Sequence, residues 1–251
     1  MHEGNMKKLE AKQKEQFDMH FKLFQPWSTF VMATKLPPLI LEKMLKITNE
    51  IVTNGKSEEK VDWEKSGSAQ MEDEFSVKLK ILERENVMEF FLFAVRHFTI
   101  QQKLQANPLA PMVSNILNDE WYTQMKGMWI ISQKDNEYQP VHTHLIAPLA
   151  AVMYLKIPEY LPSRNPTRNE DGAITFINNC GRDNRWANPS ITFQPEVGDL
   201  FIFSGSLEHL VYPFRTPDGK GERRSVSFNA EFACKSEQDF LKKQLKNQET
   251  I

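Results

Sequence analysis

Cysteine is scarce in this chain of 251 residues, which contains only Cys180 and Cys234. Two cysteines do not make the disulfide framework of a small secreted domain, and their scarcity fits a reducing compartment. No apolar run reaches the roughly 18 residues that a membrane-spanning helix needs. The polar stretch over residues 1–16 has no apolar segment typical of a signal peptide. We therefore expect a soluble, cytoplasmic protein.

The sequence also lacks an excess of charge of either sign. Its 31 Lys and Arg residues against 33 Asp and Glu residues give a formal net charge of −2. Nothing in that balance attracts the whole chain to nucleic acid or to an anionic membrane. A glycine-rich loop for phosphates or dinucleotides is absent as well, and no internal repeat is visible. These absences argue against nucleotide-binding and nucleic-acid-binding classes.

The character of the chain changes at about residue 119. Before that point, apolar residues recur at helical spacing over 36–55 and 85–105, which predicts two helices. Mixed aromatic and β-branched residues over 20–36 predict an early strand pair. The polar, aperiodic stretch 56–74 is predicted to be a loop.

After that point, short runs such as "KGMWIISQ", "LAAVMYLKI", "GAITFIN" and "GDLFIFSG" alternate with turn residues. Several short strands separated by turns predict a sandwich or barrel rather than a parallel sheet with crossover helices. The fold class is therefore mainly β with N-terminal helices (α+β). We divide the chain into a charged tail (1–18), a mainly helical part (19–118), a β core (119–234) and a C-terminal helix (235–251).

Two histidines one residue apart, His142 and His144, lie in the stretch "QPVHTHLIAP". Side chains alternate along a strand, so in an extended conformation both imidazoles point to the same side and can share one metal ion. Two polar residues on a solvated strand face are the alternative interpretation. A third histidine, His209, follows the apolar strand "GDLFIFSG" and can reach back over the mouth of a sheet.

The stretch "ERRSVSFNAEF" is polar on one face of the predicted strand. Arg223 and Ser225 share that face, whereas Arg224 points to the opposite side. A polar face directed into a barrel requires a bound polar ligand to satisfy it. A forked guanidinium beside a hydroxyl is a good match to a carboxylate.

Taken together, the H-x-H, the G-D-L-x-x-F strand, the distal histidine and the R-x-S resemble the iron(II)- and 2-oxoglutarate-dependent oxygenases. The resemblance covers about residues 119–234. More narrowly, the sequence is similar to a group of oxygenases from bacteria and tailed phages that carry H-x-H where most of the superfamily has H-x-D. The resemblance implies a double-stranded β-helix, or jelly roll, with Fe(II) held at its open end by His142, His144 and His209.

The same resemblance implies a binding site for 2-oxoglutarate as cosubstrate. Arg223 matches the residue that binds the far carboxylate, with Ser225 supporting it. Tyr154 lies where relatives often place a further hydrogen bond, although a buried structural tyrosine is the alternative. The implied reaction consumes dioxygen and 2-oxoglutarate, usually hydroxylates the substrate, and releases succinate and carbon dioxide. The sequence identifies neither the substrate nor the oligomeric state.

One ligand departs from the usual pattern, because His144 stands where most relatives have an acidic residue. Asp135, Glu137, Asp199 and Glu208 are the acidic residues that could replace the missing carboxylate, but turn positions or diverging directions explain them better. We therefore expect His144 to be the third ligand. Metal loading is then expected to weaken as the pH falls through about 6.5, where free histidine becomes protonated.

Two other functions stay open. A cupin-type dioxygenase also uses three histidines and needs no cosubstrate, although such enzymes usually carry a Glu soon after the H-x-H, where this chain has "LIAPLAA". A catalytically inactive jelly-roll binding module is the second alternative. Succinate release that depends on 2-oxoglutarate separates the leading hypothesis from the first, and iron binding separates it from the second.

Overall fold

The structure is a computed structural model. It describes residues 30–54, 73–106, 119–144, 147–165, 167, 169–177, 189–235 and 239. The predicted charged tail, the first half of the predicted strand pair and most of the predicted C-terminal helix lie outside these residues. Cys180 lies outside them too, whereas Cys234 is buried.

The described residues form three helices and ten strands. The helices are α1 (Pro38–Asn54), α2 (Leu79–Arg84) and α3 (Met88–Ala106). The strands are β1 (Val31–Lys35), β2 (Glu74–Ser76), β3 (Trp121–Gln133), β4 (Gln139–His142), β5 (Leu149–Lys156), β6 (Ile174–Ile177), β7 (Ser190–Phe193), β8 (Asp199–Ser204), β9 (Glu208–Val211) and β10 (Arg223–Cys234). None of the described helices is long and apolar enough to cross a membrane.

Both predicted helices are confirmed. Pro38 begins α1, a position where the missing amide hydrogen costs no helical hydrogen bond. The pattern did not predict β2, which begins within the expected loop, or α2, because three and six residues are too short to show a period. Asn86 lies just after the C-cap of α2 in the left-handed region at φ 54°, and its N–H donates to the Glu83 carbonyl.

The strands form two antiparallel sheets. The larger sheet has the order β1-β8-β5-β10-β3-β2, and the smaller one has the order β4-β9-β6-β7. From β3 onward the chain crosses from one sheet to the other at every step except the β6–β7 hairpin, as in a jelly roll. The predicted fold class is thus confirmed.

Strands from the N-terminal part complete the larger sheet. β1 pairs with β8 at one edge, and β2 pairs with β3 at the other. Residues before 119 therefore supply sheet edges as well as helices. The domain boundary at 118/119 stays a prediction.

The larger sheet is buried on both faces, and side-chain alternation decides which residues meet which layer. Val226 and Phe228 of β10 lie in the apolar cluster formed with α1 and α3. Tyr154 of β5 and Phe203 of β8 lie in a second cluster with β6 and β9 of the smaller sheet. The odd-numbered positions of β10 therefore face the space between the sheets, where the candidate site lies.

Candidate metal and cosubstrate site

Three histidines meet at one end of the space between the sheets. His142 ends β4 and is directly paired with His209 of β9. His144 lies in the loop that follows β4, and its N–H donates to the Gly205 carbonyl at 2.7 Å. One ligand atom of each ring lies within 4.8 Å of the other two. The geometry therefore brings together the three histidines that the sequence singled out.

Backbone carbonyls orient two of the rings. Nδ1 of His142 lies 2.8 Å from the Pro140 carbonyl, and Nδ1 of His209 lies 2.9 Å from the Leu207 carbonyl. Since a carbonyl can only accept, each Nδ1 carries the proton and each Nε2 keeps its lone pair. In metal-binding histidines, such a hydrogen bond from the ring nitrogen that does not bind the metal fixes the tautomer.

Burial keeps the cluster neutral. Burial, together with the neighbouring histidines, lowers the pKa of His144 to about 4 and that of His209 to about 3. Burial also lowers the pKa of His142, against hydrogen bonds that raise it. The buried cluster is therefore ready to bind a cation below the pH at which free histidine becomes protonated.

We expect metal binding to persist below the pH of about 6.5 that free histidine suggests. A lowered pKa means that protons compete for the Nε2 lone pairs only when the pH falls through the lower value. The measurement is the dissociation constant of Co(II) between about pH 7 and about pH 5.5. A weakening that starts at about pH 6.5 and approaches about tenfold per pH unit for each ring would show instead that the rings titrate as free histidines.

Gly205 allows the His144 loop to pack against the end of β8. A Cβ added at this position would lie 1.9 Å from the Ala147 carbonyl oxygen and 2.9 Å from that of His144. Both neighbours are backbone atoms, so the loop would have to move. Apart from being a small residue in a turn, Gly205 has no feature in the sequence that indicates this role.

Gly205→Ala is therefore expected to weaken metal binding and to lower the melting temperature, because it displaces the backbone that carries His144. Overpacking of this kind costs about 1–3 kcal/mol. Gly127→Ala is the matched control, since a Cβ there meets nothing within 4 Å. Calorimetric titration with Co(II) and thermal unfolding measure both effects. Equal metal affinity in the two variants would contradict the role given to Gly205.

A buried arginine lies on the wall of the same cavity. Arg223 is 1% exposed, and its two terminal nitrogens donate to the Gly172 carbonyl and to Oε1 of Gln133. Its Nε has no hydrogen-bond partner among the described residues. The guanidinium lies 5.5 Å from the centroid of the Tyr154 ring. A cation held in place with an unsatisfied donor is suited to an anionic ligand.

Tyr154 and Ser225 share that wall. They face each other on β5 and β10 as a register pair, and both line the cavity. The buried Tyr154 hydroxyl has no partner within the described residues. Burial raises the pKa of Tyr154 to about 12, against the opposing effect of Arg223, so the hydroxyl keeps its proton. It is a donor available to a ligand.

Arg224 points to the other side of β10, as the alternation predicts. Its Nε donates to Glu222 at 2.7 Å, and one terminal nitrogen donates to Asn49 of α1 at 2.7 Å. Arg224 therefore links the sheet to a helix, while Arg223 lines the cavity.

The acidic residues considered as a missing ligand have other partners. Asp135 accepts from the N–H and hydroxyl of Thr216, and Glu137 accepts from the Lys134 N–H. Asp199 forms an ion pair with Lys35 at 2.7 Å. The metal-competent group found among the described residues consists of the three histidines, without Glu208 or any other carboxylate.

Two residues that support the arginine could not be recognised in the sequence. Gln133 lies at the end of β3, directly opposite Arg223 in the register. Gly172 has φ 74° and offers its carbonyl to the arginine. Neither stands in a motif, since each acts through a pairing between segments distant in the chain. Trp129 and Gln139 also line the cavity.

A jelly roll with three clustered histidines and a buried arginine at one cavity defines a class of metal-binding β protein. Residues 127–229 match the profile of a family described as "Putative 2OG-Fe(II) oxygenase". The match covers less than half of the chain and includes the H-x-H, the distal histidine and the R-x-S. This segment is thus similar to the 2OG-Fe(II) oxygenases, a family that uses Fe(II) and 2-oxoglutarate. The narrower bacterial and phage group stays a prediction.

Several solved structures are similar in chain path. A prolyl-4-hydroxylase from Pseudomonas putida is 14% identical, with 80% of this chain and 93% of that chain covered and a TM-score of 0.43. HygX from Streptomyces hygroscopicus, solved with nickel and 2-oxoglutarate, is 11% identical. The alignment covers 87% of this chain and 85% of that chain, with a TM-score of 0.46. No curated protein is similar in sequence.

A third structure, an oxidoreductase of the 2OG-Fe(II) oxygenase family from Burkholderia pseudomallei, is 14% identical with a TM-score of 0.33. The alignment covers 51% of this chain and 56% of that chain, so this chain matches little more than half of its length.

Proposed function

We propose that this protein is an Fe(II)- and 2-oxoglutarate-dependent dioxygenase that hydroxylates an organic substrate. In this proposal His142, His144 and His209 bind iron, and Arg223 binds the far carboxylate of 2-oxoglutarate with help from Ser225 and Tyr154. The observation that carries it is the position of the histidine cluster and the buried arginine on one cavity. Dioxygen is the second cosubstrate, and succinate and carbon dioxide are the products.

The donor atoms fit these two groups. Imidazole is an accepted ligand of ferrous iron, and the lowered pKa values keep the rings neutral. The Arg223 Nε and the Tyr154 hydroxyl are buried donors that lack partners among the described residues, as expected where a carboxylate binds. Their burial strengthens a charge-assisted hydrogen bond to such a ligand.

The charge of the site supports a dianionic cosubstrate. Three neutral histidines add no negative charge to a divalent cation, and Arg223 adds a positive one. A dicarboxylate offsets both, one carboxylate at each end of the cavity. An acidic third ligand, as in most relatives, would leave less positive charge for the cosubstrate to neutralise.

When bound, iron and 2-oxoglutarate supply the activation of dioxygen and the oxidation of a C–H bond. The residues of this chain would position the bound groups and shield them from water. Backbone carbonyls hold two histidine rings in one tautomer, while Gln133 and Gly172 hold the Arg223 guanidinium. Apolar neighbours such as Ile174, Phe203 and Val211 line the cavity and exclude water.

Succinate formation tests this function. Protein reconstituted anaerobically with Fe(II) is exposed to air with 2-oxoglutarate, and slow succinate release is expected even without the substrate. Release must stop when iron, dioxygen or 2-oxoglutarate is left out. A protein that binds iron but consumes dioxygen without 2-oxoglutarate would be a three-histidine dioxygenase of the cosubstrate-independent kind.

A further inference from the structure

Glu74 is a buried carboxyl group without an assigned role. It begins the edge strand β2 and is 7% exposed. Within the described part of the chain, its carboxylate has no hydrogen-bond or ion-pair partner. Burial raises the pKa of Glu74, with no neighbouring charge to oppose it. A largely buried carboxyl that has no partner among the described residues is costly, which points to a ligand or a functional role.

Glu74 lies on the cavity face of the larger sheet. It is directly opposite Ile131 of β3, which is opposite Ser225 of β10, which in turn is opposite Tyr154 of β5. Directly paired residues of antiparallel strands project from the same face. Ile131, Ser225 and Tyr154 all line the cavity, so Glu74 continues their row at the open edge of the sheet.

The row therefore has an acidic end. Adjacent strands lie about 4.8 Å apart, which places the backbone of Glu74 roughly 10 Å from that of Ser225, two strands away. Arg223 is on the same face of β10, but Gln133 and the Gly172 carbonyl hold its guanidinium. Glu74 is thus left without a cation from the described chain.

The other partly buried glutamate of this region shows the contrast. Glu222 accepts a hydrogen bond from Ser132 at 2.8 Å and pairs with Arg224 and Lys156. Although burial alone would raise the pKa of Glu222, these partners lower it. Among the described residues, the structural carboxylate on the helix side has cationic partners and Glu74 has none.

We propose that Glu74 is a specificity residue that binds a cationic group of the substrate, an ammonium or a guanidinium. This inference rests on the proposed oxygenase function and narrows its substrates to basic compounds. The cation would lie at the β2 edge, with the rest of the substrate extending past Ile131 and Trp129 toward the histidines. An ion pair at this edge of the sheet would satisfy a carboxylate that has no partner among the described residues.

Binding of matched probes tests this proposal. The probes are guanidinium, n-butylammonium and N-acetyl-lysine methylamide, each beside a neutral counterpart: urea, n-butanol and N-acetyl-norleucine methylamide. They are titrated by calorimetry into anaerobic protein loaded with Fe(II) and 2-oxoglutarate. We expect at least one cation to bind the wild type about tenfold more tightly than Glu74→Gln, with the neutral probes unchanged.

Two further variants separate charge from folding. Glu74→Asp keeps the carboxylate and should retain the preference for the cation, while Glu42→Gln removes an exposed carboxylate from α1 and should change nothing. A purely structural role for Glu74 would alter melting temperature without altering discrimination between cation and neutral probe.

The possible results of these binding measurements distinguish the cation site from the oxygenase function on which it rests. If wild type and Glu74→Gln bind every cation equally, the inference is overturned, whatever the catalytic activity. If cations bind as expected but no variant releases succinate, the oxygenase function fails while the cation site stands.

Discussion

Replacing His144 by alanine is expected to remove stoichiometric iron binding. With two imidazoles left, the dissociation constant for iron should rise by about a hundredfold or more. Even the loss of a residue that only hydrogen-bonds to a metal ligand lowers metal affinity by about 10–100-fold. The loop backbone would be unchanged, since the His144 N–H still donates to the Gly205 carbonyl. Anaerobic Fe(II) or Co(II) titration, followed by metal analysis of the purified protein, measures the loss.

His97→Ala is the matched control for that variant. His97 lies exposed on α3, with its ring stacked on Phe93 at 6.3 Å between centroids. His144→Asp makes the complementary test, because it restores the acidic ligand that most relatives carry, and iron should be retained. Full iron stoichiometry in His144→Ala would remove this residue from the site and reopen the search for a third ligand.

Replacing Arg223 is expected to produce the largest effect on 2-oxoglutarate. Truncating one partner of a buried, charge-assisted pair costs about 2–5 kcal/mol, which raises the KM for 2-oxoglutarate by about 30-fold or more. Arg223→Lys keeps the charge but lacks the forked guanidinium that donates to both Gln133 and Gly172. It should therefore retain only part of the affinity for 2-oxoglutarate. Succinate release at varied 2-oxoglutarate concentration gives KM and kcat.

Arg224→Lys distinguishes a cosubstrate role from a structural one. The two arginines are adjacent in the chain and equally buried, at 1% and 3% exposed, but they face opposite sides of β10. Arg224→Lys should lower the melting temperature, because it weakens the contacts to Asn49 and Glu222, and leave the KM for 2-oxoglutarate unchanged. Equal changes of KM in both variants would show that neither arginine binds the cosubstrate directly.

Most of the candidate site could be predicted from local patterns in the sequence. A period of two places His142 and His144 on one side and separates Arg223 from Arg224, because side-chain direction in a strand depends only on parity. The order of motifs supplied the distal His209. No pattern of this kind exists for Gly205, Gln133, Gly172 or Glu74, because their roles depend on segments far apart in the chain.

The fold, too, has elements that the sequence predicts and elements that it does not. Helices α1 and α3 are long enough for their apolar stripes to be read, and the run of short strands after residue 119 indicates a β sandwich or barrel. The strand β2 has three residues and follows a polar stretch, so no period could reveal it. Yet it forms one edge of the larger sheet.

The sequence by itself determined the class of fold, the three histidines and the parity of the arginine, because these follow from residue type and local spacing. Only the tertiary structure decided how the histidines titrate, which carboxylates are already paired, and that Glu74 continues the row of Ile131, Ser225 and Tyr154. The physical reason is that burial and cross-strand register are properties of packed segments. A pKa value or a missing partner exists only once distant parts of the chain have come together.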